Sequence, residues 1–182
     1  GIDLYENGFL KNVGYFIANM LLPKAIDTGS PREVLNFADS SSRLPSFELV
    51  SHLAYLAKKT QDSELQWVVD KLIKDDSSSN TFWQLISNYD LTLSATEPNE
   101  KLQNDTLFES LGYAFMRTGF DDDADVIGLR CGRVVSPLAP QGKGIGSSHV
   151  HPDVNHFILY SNGQKLLTDD GYTKSYVANH NT

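Results

Sequence analysis

His156-Phe157-Ile158-Leu159-Tyr160, then Ser161-Asn162-Gly163, then Lys165-Leu166-Leu167-Thr168, is the stretch on which the reading of the fold turns. Two short runs rich in apolar and aromatic residues flank a Gly-containing turn signal, the grammar of a β-hairpin. Working back from it, Gly112-Tyr113-Ala114-Phe115-Met116-Arg117 and Val126-Ile127-Gly128-Leu129-Arg130 have the same strand character. Gln141 to Ser148, with three glycines, reads as a mobile loop. The second half is therefore expected to be antiparallel β.

The first half has a different period. Phe9, Val13, Phe16, Ile17, Met20 and Leu21 recur at spacings of three and four, and Pro23 stops the run, so a helix is expected over Gly8 to Leu22. Similar spacing predicts helices over Ser46 to Lys59, Glu64 to Lys74 and, shorter, Thr81 to Ser87. Polar, helix-stopping stretches separate them, including Asp75-Asp76-Ser77-Ser78-Ser79-Asn80. From Ser94 to Asp105 the chain is polar and contains proline, which marks a boundary. The expected organisation is a helical portion, 1–93, and a β portion, 94–182. With no strand after His180-Asn181-Thr182, the C-terminus reads as truncated; Gly1-Ile2-Asp3 reads as a cut end.

Bulk properties limit the function. The chain has 182 residues, 40% hydrophobic and 21% charged, an ordinary globular composition. No apolar run approaches the ~20 residues of a membrane-spanning helix, so no membrane partner is expected. One cysteine, Cys131, excludes an internal disulfide and a Cys-rich zinc module. A formal net charge of −8 argues against nucleic acid as a partner, because phosphate affinity is built from clustered Lys and Arg. The same charge means that an acidic polymer would need a local basic patch.

Four of the five histidines fall at 149, 151, 156 and 180. In His149-Val150-His151, residues two apart on a strand point the same way, and Asp153 shares their parity. Which acid of Asp169-Asp170 faces His151 depends on the hairpin turn. A two-residue Asn162-Gly163 turn pairs Ser161 with Gln164 and selects Asp170. A three-residue turn with Gly163 left-handed pairs Tyr160 with Gln164 and selects Asp169, and the residue types favour it. Imidazole and carboxylate from neighbouring strands suit zinc or a similar divalent ion. By the same parity His156 falls on the opposite face, as a sheet or surface residue.

Several stretches together resemble the heparinase II/III-like polysaccharide lyase family. They are Asn36-Phe37-Ala38-Asp39-Ser40, Tyr113 to Gly119, His149 to Asp153, Phe157 to Gly163, Asp169 to Tyr172, and His180-Asn181-Thr182. The resemblance implies an α+β multidomain fold, in which the last part of an incomplete (α/α) toroid leads into the first part of an antiparallel β-sandwich domain. It also implies β-elimination on uronic-acid polysaccharides such as alginate or glycosaminoglycans, in a secreted or periplasmic enzyme. Carried over by position, the metal ligands fall on His151, Asp169 and His180, and the catalytic, cleft-facing histidine on His149. Asp39 and Arg117 are the candidate substrate-binding residues of such a cleft. The family's catalytic tyrosine lies on a helix before the one that Gly8 to Met20 resembles. Tyr15 matches a core position there, so residues 1–182 alone are expected to be inactive.

Plainer explanations stand beside each assignment. Asp39 has the chemistry of a turn cap, and Asp153 that of a hydrogen-bonding residue beside Pro152. Arg117, Arg130 and Arg133 fit solvated strand positions as well as a basic cleft. Tyr160 and Tyr172 read as packing residues, and His52 as a satisfied helix residue. The competing function is a non-catalytic carbohydrate-binding or structural module that keeps the metal site for stability. A cupin-like oxygenase shares the His-x-His pair but lacks the long helical half.

Overall fold

A computed structural model describes residues 5, 8–24, 33–37, 40, 47–75, 82–131 and 155–169. Its helices are α1 (Phe9–Met20), α2 (Phe47–Thr60), α3 (Ser63–Asp75) and α4 (Phe82–Asn88). Five strands follow: β1 (Asp105–Phe108), β2 (Tyr113–Arg117), β3 (Val126–Arg130), β4 (His156–Ser161) and β5 (Gln164–Leu167). They form one antiparallel sheet in the order β1-β2-β3-β4-β5. All four expected helices and four of the five strands lie where the periodicity places them. β1 was not foreseen, because it is a four-residue edge strand emerging from a polar stretch, too short to show a period.

The helices pack through an apolar core that includes Ala18, Val50, Leu53, Ala57, Leu65, Val69 and Leu72. Between α2 and α3 the turn is tight. Gln61 adopts a positive φ of 50°, Asp62 N–H bonds Ala57 O at 2.9 Å, and Gln61 N–H bonds Lys58 O at 3.4 Å. That is a Schellman ending with glutamine in place of the usual glycine. Asp62 then caps α3 at once: its Oδ1 accepts from the Glu64 and Leu65 amides at 3.1 and 3.2 Å.

Asp62 does more than cap. Its Oδ2 accepts from the Tyr15 hydroxyl at 2.6 Å and lies 3.5 and 3.4 Å from the Lys11 and Lys101 ammonium groups. Burial alone would raise its pKa. The hydrogen bonds from Tyr15 and the Leu65 amide, with the charges of Lys101 and Lys11, outweigh that and hold it below the ordinary carboxylate range. One residue on, the Glu64 carboxylate accepts from the backbone amides of Glu100, Lys101 and Leu102, at 2.6 to 3.2 Å. Leu102 is 1% exposed within the helical core. The polar stretch before β1 is thus fastened to the first turn of α3, where a carboxylate also faces the positive helix end.

The sheet turns one face inward. Phe115, Val126, Ile158 and Tyr160 form a second core with Leu22, Leu35 and Phe37 from the helical half. Phe16 of α1 meets Phe108, Tyr113 and Phe115 edge-on, at centroid separations of 5.2 to 5.7 Å. Gly128 lies at the middle of this contact. A Cβ there would stand 2.8 Å from Leu35 Cδ1 and 3.0 Å from Phe37 Cζ, so only glycine admits both side chains.

Two predictions follow from this packing. Gly128→Ala should lower unfolding stability by roughly 1–3 kcal/mol in denaturant titration, through overpacking rather than loss of a contact. For Asp62 the depressed pKa fixes the sign: its contribution is full above the unfolded value of about 3.9 and is lost as pH falls through the lower folded value. Asp62→Asn should therefore be less stable than wild type near neutrality, by about 2 kcal/mol. The gap should narrow in stability measurements carried below about pH 4.

Candidate functional site

Of the residues assigned to the site from sequence, Asp169 and Arg117 are among those described. His149, His151, His180 and Asp39 lie outside the described residues, as do Asp153, Arg133 and Tyr172.

Asp169 is buried, with its side chain 6% exposed. It lies two residues beyond the end of β5, and the route to it differs from the expected one. The hairpin turn is the two-residue kind: Ser161 pairs with Gln164, and Asn162 and Gly163 both have positive φ, 52° and 77°. Asn162 accepts the left-handed conformation that the three-residue alternative reserved for Gly163 alone. A register shift between Leu159 and Tyr160 then moves the pairing on, so that Tyr160 faces Lys165 and Leu159 faces Leu167. Asp169 is reached after the ladder has stopped, so strand parity does not decide which acid turns inward. Tertiary bonds hold it instead. Asn36 Nδ2 donates to the Asp169 carbonyl at 3.2 Å, and Thr168 Oγ1 donates to the same oxygen at 3.1 Å.

His156 opens β4 as a sheet residue, and the structure gives it a neighbour that the sequence did not show. Its Nε2 lies 3.6 Å from Asp169 Oδ2, and its side chain is 30% exposed. It shares the inward face with Ile158 and Tyr160, and its ring meets Phe37 edge-on at 6.0 Å. Asn155, the residue before it, has a φ of 63°. A left-handed residue breaks the alternation on which a parity count depends. Histidine beside a strand start carries no local signal of facing the interior.

Arg117 has a task other than the expected one. Its guanidinium donates to Ala18 O at 3.3 Å and Leu21 O at 3.0 Å, and stacks over Phe120 at 4.0 Å. It thereby ties the carbonyl end of α1 to β2, where a cation also suits the negative end of the helix. Arg130 pairs across the sheet with His156 and lies over the Tyr113 ring at 5.6 Å. Tyr160 is fully buried in the sheet core, and His52 is on the exposed side of α2. Tyr15 packs against the helical core and is bound to Asp62, which together with burial raises its pKa.

Among the described residues no three metal-ligating side chains converge. What is present is a His–Asp pair on a rigid floor. That floor is built from β4, the end of the β4–β5 hairpin, and the Leu35-Asn36-Phe37 segment.

The chain's helices leading into an antiparallel sheet are the architecture of the region of heparinase III where the toroid ends and the β domain begins. Residues 100–182 match the family model described as Heparinase II/III-like, C-terminal. A crystal structure of heparinase III aligns with a TM-score of 0.60 at 21% identity, covering 91% of this chain and 22% of that one. A heparinase III gene product aligns with a TM-score of 0.58 at 17% identity, covering 97% of this chain and 22% of its own. Its form with methylated lysines gives 0.55 at 18%, with coverages of 93% and 20%. No curated protein matches the chain. The chain spans about a fifth of the length of these solved structures.

Arg117→Ala should be a folding variant. Removing the guanidinium takes the donor from Leu21 O and one of two donors from Ala18 O, and strips the stack on Phe120, at a cost of about 3 kcal/mol. Chemical denaturation should show the loss, and Arg117→Lys should recover only part of it, because an ammonium does not reproduce the planar fork.

Proposed function

We propose that the protein is a polysaccharide lyase acting on a uronic-acid-containing polymer, alginate or a glycosaminoglycan, by β-elimination. The observation that carries this reading is that the heparinase II/III-like match, residues 100–182, contains the whole His149 to His180 cluster. The secreted or periplasmic location belongs to the same proposal.

The chemistry sets the requirements. The proton at C5 of a uronate is weakly acidic, and its removal builds charge on the neighbouring carboxylate. A lyase therefore needs donors at that carboxylate and a group that moves the proton. In this reading His149 faces the substrate and serves as base or donor, and Asp39 lines the cleft. Arg117 is already committed to the end of α1.

His151, Asp169 and His180 would hold a divalent ion, with zinc the best match to imidazole and carboxylate donors. Asp169, the one of the three that is described, fits: its carboxylate is buried, with the buried Nε2 of His156 beside it at 3.6 Å. When bound, the ion would supply a fixed positive charge that holds the segment carrying His149. The protein's own contribution is to orient Asp169 through Asn36 and to keep the carboxylate out of water.

Incubation of the whole protein as encoded with alginate, heparan sulfate and hyaluronan should release unsaturated uronate ends from one of them, followed by ultraviolet absorbance. His149→Ala should lower turnover by about 10²–10⁴-fold, the usual worth of a positioned acid–base group. Binding of the polymer without any unsaturated product would instead favour a non-catalytic carbohydrate-binding module.

A further inference from the structure

The pairing of His156 with Asp169 is too long for the interaction it superficially resembles. A charge-assisted bond between imidazolium and carboxylate spans about 2.7–2.9 Å, whereas Nε2 and Oδ2 stand 3.6 Å apart. Nε2 is nonetheless buried and has no hydrogen-bond partner among the described residues. An imidazole nitrogen removed from water and left unbonded costs about 1–3 kcal/mol. The ring is kept in place by Phe37, which meets it edge-on at 6.0 Å, and by the pairing of its backbone with Arg130 of β3. Asp169 is equally anchored, by Asn36 and Thr168 at its carbonyl.

Two donors that share a tetrahedral ion at about 2.0–2.2 Å stand roughly 3.4 Å from each other, close to the separation seen here and beyond hydrogen-bond reach. We infer that His156 Nε2 and Asp169 Oδ2 are ligands of the same divalent cation. This rests on the reading above, in which Asp169 holds a metal together with His151 and His180. An ion held by these two side chains ties β4 to the chain beyond β5. Asn36 is a positioning residue for this site, linking the helical half to Asp169 through a backbone carbonyl.

The test uses the whole protein as encoded, with Zn²⁺ and Co²⁺ as probes. Wild type should carry about one tightly held ion per chain by mass spectrometry. His156→Ala should weaken binding by more than the roughly 10–100-fold that loss of an outer hydrogen-bonding partner costs. His156→Cys guards against misfolding of the alanine variant: it should retain Co²⁺ and acquire a thiolate-to-cobalt charge-transfer band, which appears only if position 156 touches the ion. A wild-type protein that binds neither Zn²⁺ nor Co²⁺ overturns this inference and the metal reading beneath it. If Asp169→Asn loses the ion while His156→Ala keeps wild-type affinity and His156→Cys shows no new band, this inference alone is overturned.

Discussion

Leu35-Asn36-Phe37 is the constraint on which the rest of the molecule depends. The segment is joined to the end of α1 by reciprocal backbone bonds, Leu22 N–H to Glu33 O at 2.9 Å and Leu35 N–H to Met20 O at 2.8 Å. Because the chain is extended there, alternate side chains separate. Leu35 and Phe37 are buried in the core against the sheet, while Asn36 bonds the Asp169 backbone. The same few residues thus join the helical half to the β half and set the position of the candidate ligand. The close approach requires a bare backbone opposite, and Gly128 provides it.

Around that junction, buried charge is used as a fastener. Asp62 gathers α1, the α2–α3 turn and Lys101 onto one carboxylate, and Glu64 collects three consecutive amides from the chain approaching β1. Arg117 makes the corresponding link from β2 back to α1, and Lys165 of β5 forms an ion pair with Glu33. Each is a charged group whose partners come from a distant segment. Such groups are costly to bury unless fully bonded, so they specify one arrangement of the halves more sharply than apolar contact does.

This arrangement separates two tasks within the histidine-rich half. An ion bound there would supply rigidity where the hairpin ends, since β5 is only four residues long and the ladder contains a register shift. Proton transfer would be left to a histidine not bound to the ion. A liganded imidazole has no free lone pair, so the two roles cannot fall on one side chain.

The sequence by itself determined the four helices and four of the five described strands, the place where the period changes, and the clustering of histidines near the hairpin. These are local properties: they follow from side-chain spacing along a continuous helix or strand. Only the tertiary structure decided which residues face one another. Asn155 and Asn162 in left-handed conformations, and the shift between Leu159 and Tyr160, each change what a count along the chain would predict. Thus Asp169 faces inward without a ladder position to place it there, and His156 shares the inward face beside it. Arg117 likewise looks like any strand arginine until the end of α1 is brought beside it. Alternation is conserved only while the backbone stays extended, and the partners of a buried polar group are chosen by packing between segments distant in the chain.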